Sequence, residues 1–224
     1  MRDRFGHSPL TYGGSNPPGY ITFTKLMIVT TVFDSPIVLH HCDELEMYSN
    51  AELQNSINHI FDLKEIRSNI DSSQQGRAYT TCHLWEQFPL PRIKGLENLS
   101  EWVAQQLLKS AEVFGVPTAK RIGFGRTWVN IMFDQSEGLC HQHPLTLDGV
   151  AIFYANMPNG GGDLVFIKNG TEGSLIKDSN NEHCFYQTVN TGDLVIHKPD
   201  MPHAVSKSHN QEPRICFIYE FKYT

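Results

Sequence analysis

Two histidines one residue apart, His141 and His143 in Cys-His-Gln-His-Pro, and a third, His203 in Lys-Pro-Asp-Met-Pro-His, have the type and spacing that point most directly to chemistry. Side chains at i and i+2 of an extended strand face the same side. Both imidazoles of a His-x-His step can therefore grip one metal ion while the third arrives from another strand. Three neutral nitrogens leave the remaining positions of a first-row metal open to substrate or oxygen, a catalytic arrangement rather than a closed structural one. Eleven histidines in 224 residues will place some together by chance, so the context of His203 carries the argument. Gly192 to Ile196 reads as a turn and an apolar strand, Pro199 to Pro202 as a tight loop that delivers His203, and Arg214 to Tyr219 as a further strand.

The elements that must hold these residues follow from patterning. Residues 1–20, rich in Gly, Pro, Ser and Asn, read as an irregular leader. Ile28 to Phe33 and Pro36 to Leu39 read as two strands around Asp34-Ser35-Pro36. Asn50 is placed to cap a helix with Leu53, Ile57, Ile60 and Phe61 on one face. A second helix has Asn98 and Glu101 as a capping box, a stripe of Leu99, Trp102, Val103, Leu107 and Ala111, and a stop at Gly115 and Pro117. From Arg121 onward short strands alternate with turns: 127–133, 141–143, 150–155, 164–167, 184–189, 193–197 and 215–219. The expectation is a mainly β fold with bracing helices, a helical brace at about 50–115 and a barrel or sandwich at about 121–224, making one domain over 21–224.

Composition narrows the function classes. The formal charge is −6 and no Lys/Arg-rich stripe is present, which argues against a nucleic-acid surface. No apolar run is long enough to span a bilayer, and the N-terminal residues lack a secretory h-region, so a cytoplasmic protein is expected. The five cysteines (Cys42, Cys82, Cys140, Cys184 and Cys216) have no Cys-x-x-Cys spacing and read as reduced thiols. Strand alternation sends the Cys140 side chain to the side opposite His141. A small molecule or a polypeptide side chain is the expected substrate, and oligomeric state is open.

Trp128-Val129-Asn130, His141-Gln142-His143-Pro144, Gly149-Val150 with Tyr154, Gly161-Gly162-Asp163-Leu164-Val165-Phe166, Gly192-Asp193-Leu194-Val195, Pro202-His203 and Arg214 together resemble the iron(II)- and 2-oxoglutarate-dependent oxygenases of the double-stranded β-helix (jelly-roll, cupin-like) fold. The likeness is strongest to the bacterial and phage branch whose first motif is His-x-His-Pro, and it runs from about Trp102 to the C-terminus. The resemblance implies that His141 and His203 hold iron and that His143 stands where the wider superfamily places a carboxylate. It implies that Arg214 holds the distal carboxylate of 2-oxoglutarate, a role that suits the guanidinium fork. Asn130 and Tyr154 are implied as further cosubstrate contacts, and Cys216 stands where many relatives have a serine. The implied reaction consumes O2 and releases succinate and carbon dioxide, with no protein acid or base required.

A carboxylate among Asp148, Asp163 and Glu137 is the alternative third ligand. Two rival functions remain at this level. One is a three-histidine cupin acting without 2-oxoglutarate, which gives no reason for Arg214; the other is a non-catalytic metal-bearing barrel. His197 reads as a neighbour of the site, and the run at 159–162 as a turn.

Overall fold

The computed structural model describes residues 11–13, 27–63, 74–168 and 182–224. Within the leader, Thr11–Gly13 forms a short strand, β1. Ile28–Val32 (β2) and Ser35–His41 (β3) form a hairpin joined through Phe33 and Asp34, which lie at φ 48° and 66°. Two successive positive φ values are what a type I′ turn needs to match the twist of its strands.

Helix α1, Ala51–Asp62, starts where expected: the Asn50 side-chain oxygen accepts from the Leu53 N–H at 2.7 Å, and Leu53, Ile57 and Ile60 are buried. After Gln74–Gln75 (β4) and Ala78–Thr80 (β5) comes helix α2, Glu97–Ser110. Its start corrects the capping-box expectation. Leu96 is the N-cap, Asn98 and Glu101 lie within the helix, and the Glu97 carboxylate instead accepts from the Gly95 N–H. Leu96 is fully buried and makes no side-chain cap, so apolar packing marks this start. Leu99, Val103 and Leu107 are fully buried as the stripe implies, each worth about 2 kcal/mol relative to exposure.

Eight strands follow among the described residues: Arg121–Met132 (β6), Glu137–His141 (β7), Gly149–Asn156 (β8), Leu164–Ile167 (β9), Cys184–Gln187 (β10), Asp193–His197 (β11), His203–Val205 (β12) and Arg214–Tyr223 (β13). One antiparallel sheet runs β1-β6-β13-β8-β11-β3-β2, with β5 also on β6; the other runs β10-β9-β12-β7-β4. Among the described residues the fold is mainly β with two bracing helices, as expected.

Strand alternation separates the packing layers. Ala151, Phe153, Leu194, Leu107 and Leu53 share one core, so the outer face of the large sheet carries both helices. Val150, Ile152, Tyr154, Val195, Leu164 and Phe166 form a second core between the two sheets. Val165, Ile167 and Ala204 pack with Cys140 on the outer face of the small sheet, the side away from the histidines that alternation assigned to Cys140. Polar ties pin helix α2 to its sheet: Ser100 to Tyr219 at 3.3 Å, and the Tyr223 hydroxyl to the Leu107 carbonyl at 3.1 Å.

Candidate metal centre

His141 is the last residue of β7 and His203 the first of β12, and the two pair in register across these strands. His143 corrects one expectation: β7 ends at His141, so the His-x-His step is not a strand pair. Pro144 has no N–H to continue the ladder and disfavours a helical residue before it. The His143 N–H is satisfied instead by the Pro199 carbonyl at 3.0 Å. The turn still brings the ring to its partners. One ligand atom from each of His141, His143 and His203 lies within 4.8 Å of the others. The His143 and His203 rings are stacked with centroids 5.2 Å apart and planes 4° from parallel.

Each ring is anchored through Nδ1. His141 Nδ1 lies 2.8 Å from the Leu139 carbonyl, His203 Nδ1 3.0 Å from the Met201 carbonyl, and His143 Nδ1 2.9 Å from Glu220 Oε1. An acceptor at Nδ1 places the proton there and leaves Nε2 with its lone pair for a metal. Burial, followed by the neighbouring imidazoles, pushes the His203 pKa well down, so that ring stays neutral. The alternative carboxylates do not join the group: among the described residues the metal-competent cluster is the three histidines, and Asp148 Oδ2 instead accepts from the Tyr223 N–H at 2.8 Å.

The histidines line a cavity of about 60 Å3 whose wall includes Trp128, Asn130, Arg214 and Cys216. A larger groove of about 190 Å3 lies on the surface beside α1, and none of the three histidines lines it. Arg214 is the most unusual group in the cavity wall. It is 2% exposed; Nη2 stands 3.4 Å from the Tyr154 hydroxyl, Nη1 faces the Met132 sulfur at 3.5 Å, and Nε has no partner. No ion pair joins it to a carboxylate among the described residues. Arginine does not deprotonate in proteins, and a buried unpaired charge costs several kcal/mol or so. Asn130 adds a second orphan, its buried Oδ1 lacking a partner. Tyr154 is fully buried in the core behind Arg214 and touches the guanidinium rather than the cavity. Burial raises the Cys216 pKa, leaving a neutral thiol.

His197 is a fully buried neighbour, its ring centroid 4.6 Å from that of His203 and outside the cluster. Burial, then the adjacent His143, lowers its pKa to about 3. Its Nδ1 meets the Lys198 carbonyl, and Nε2 has no partner.

Sequence reasoning missed Glu220 and Arg126. Glu220, on β13, is 2% exposed and takes both Arg126 Nε at 2.8 Å and Arg126 Nη2 at 2.6 Å. Burial alone would raise its pKa, but the hydrogen bonds from His143 and Arg126 prevail and hold the carboxyl below the ordinary range. A signal was present: Arg214, Cys216, Ile218 and Glu220 alternate along one strand, an acid on the same face as the arginine.

Residues 126–220 match the family model described as "Putative 2OG-Fe(II) oxygenase". Among solved structures, the chain is similar to HygX from Streptomyces hygroscopicus with nickel, 2-oxoglutarate and hygromycin B bound (11% identity, 84% of this chain and 83% of that one, TM-score 0.55). It is also similar to a Pseudomonas putida prolyl-4-hydroxylase (11% identity, 84% and 92%, TM-score 0.51) and to the non-heme alpha ketoglutarate dependent epimerase SnoN from nogalamycin biosynthesis (10% identity, 84% and 76%, TM-score 0.51). These likenesses establish the jelly-roll fold. A search of curated proteins by sequence gave no match. Residues 126–220, which hold the three histidines and Arg214, are thus similar to the 2OG-Fe(II) oxygenases, a family whose metal is iron(II) and whose cosubstrate is 2-oxoglutarate, and the chain shares the fold of such enzymes.

Proposed function

We propose that residues 21–224 form one oxygenase domain that hydroxylates a small molecule or a polypeptide side chain, with His141, His143 and His203 holding iron(II) and Arg214 holding 2-oxoglutarate. The observation that carries this reading is the buried, uncompensated guanidinium of Arg214 in the wall of the cavity that the three histidines line. A dicarboxylate laid between them would meet the metal at one end and supply the missing anion at the other. A three-histidine cupin has no use for such a cation.

Once bound, iron(II) and 2-oxoglutarate together supply O2 activation, with succinate and carbon dioxide as the by-products. The protein's own part is binding and exclusion. The three Nδ1 anchors hold the Nε2 lone pairs convergent. Arg214 binds the distal carboxylate through parallel N–H donors, and Tyr154 steadies the guanidinium from behind. The Asn130 amide offers a further hydrogen bond to the cosubstrate, while Trp128, Ile152, Leu164 and Ile218 keep water from the cavity.

The test is anaerobic addition of iron(II) and 2-oxoglutarate to wild type and Arg214→Ala. The visible charge-transfer band of the chelate should form in the wild type and weaken in the variant. Iron binding with no band at saturating 2-oxoglutarate would remove the cosubstrate assignment. Turnover should then give succinate and a product one oxygen atom heavier; an isomeric product would replace hydroxylation with another oxygenase reaction.

A further inference from the structure

The three histidines offer a metal only neutral donors, yet one of them is tied to a buried anion. Glu220 Oε1 stands 2.9 Å from His143 Nδ1 and also takes Arg126 Nη2 at 2.6 Å, while Oε2 takes Arg126 Nε at 2.8 Å. The two-point grip of Arg126 fixes the carboxylate plane, and the shared Oε1 then fixes the His143 ring. We propose that Glu220 is a positioning residue that acts through His143: it holds Nε2 toward the metal and lends the ligand set anionic character that three neutral imidazoles lack. This rests on the metal reading above.

The geometry favours this over a structural ion pair. An Arg126–Glu220 pair alone would be best placed at the surface, where desolvation costs least. Instead the glutamate is 2% exposed, whereas the Arg126 side chain is 37% exposed. Water screens the cation on its outer side, and the carboxylate faces inward against the imidazole. His143 also needs such a partner more than its fellows. His141 and His203 sit on paired strands with carbonyls two residues before them, but His143 lies beyond the end of β7 with a single backbone tie to Pro199. An ionised acceptor at Nδ1 makes the imidazole a stronger donor than a carbonyl does, and loss of such a partner typically weakens metal binding about 10–100-fold. Trp128, stacked on His143 with centroids 6.0 Å apart, closes the remaining side of the ring.

The experiment is titration with cobalt(II) alone, read by its visible absorption and by calorimetry, in wild type, Glu220→Gln, Glu220→Asp, His143→Ala and the His143→Ala/Glu220→Gln double variant. Glutamine can still accept from Nδ1 without the charge, and aspartate keeps the charge but withdraws it from the ring. Each should weaken cobalt binding about tenfold and shift the absorption. In the His143→Ala background the Glu220→Gln change should have no further effect, because its route to the metal is gone. Wild-type affinity in both single variants, or an undiminished Glu220→Gln effect without His143, overturns the proposal. Failure of the wild type to bind cobalt would instead overturn the metal reading on which it rests. If Glu220→Gln does not fold, Glu220→Asp decides the first comparison.

Discussion

His141 and His203 face each other in register across β7 and β12, with ring centroids 4.4 Å apart. One strand pairing thus sets two of the three proposed ligands before any metal arrives. Cobalt(II) or iron(II) at 100 times its Kd should therefore stabilise the wild type by about 2.7 kcal/mol. His203→Ala should abolish this rise in Tm, and differential scanning calorimetry with and without metal checks it; an equal rise in the variant would place the metal elsewhere.

Replacing Arg214 should separate stability from binding. Arg214→Met removes a buried cation that no carboxylate compensates, so the metal-free, cosubstrate-free protein should be unchanged or more stable by about 1–3 kcal/mol in urea. The same change should weaken 2-oxoglutarate binding by roughly 100-fold, the loss of two charge-assisted hydrogen bonds. Destabilisation together with normal cosubstrate affinity would show that the guanidinium serves the fold instead.

His40, 5% exposed, lies with Nε2 2.9 Å from the Ser110 hydroxyl, and burial followed by nearby Lys109 lowers its pKa to about 4. The unfolded chain titrates near 6.5, so between these values it binds a proton that the folded chain refuses. Stability should be intact above pH 6.5 and fall toward pH 4, by up to about 3 kcal/mol from this group. In His40→Gln the slope of unfolding free energy across that window should flatten relative to wild type.

Gly162 has φ +87°, and a Cβ there would run into the Ser206 carbonyl. Gly162→Ala should cost about 2 kcal/mol or more, from strain at positive φ and from the displaced loop before β9. Urea denaturation measures it; a cost below about 0.5 kcal/mol would mean the turn at 160–162 repacks freely.

The sequence was most informative where local rules govern. Short apolar runs between turns located most strands of the second half, though β7 precedes its expected place at 141–143 and β12 was not among those expected; Asn50 announced its helix, and the three histidines stood out by type and spacing. What escaped was set by long-range packing. Leu96 starts α2 because it is buried, against the capping signal two residues on. Alternation puts Glu220 on the face of Arg214, but its partners Arg126 and His143 lie 94 and 77 residues away, and only the fold brings them to it. Arg214 was marked only by resemblance; its missing counter-charge is a property of three dimensions.

Strand β13 carries Arg214 near its start and Glu220 near its end, on one face. Six residues of extended chain separate their backbones by about 20 Å. Gaining or losing one residue between them would turn one of the two to the helical side. On the proposed roles, grip on the cosubstrate and aim of His143 share one mechanical coordinate, so that a force sliding β13 along its neighbours would loosen both ends of the site together.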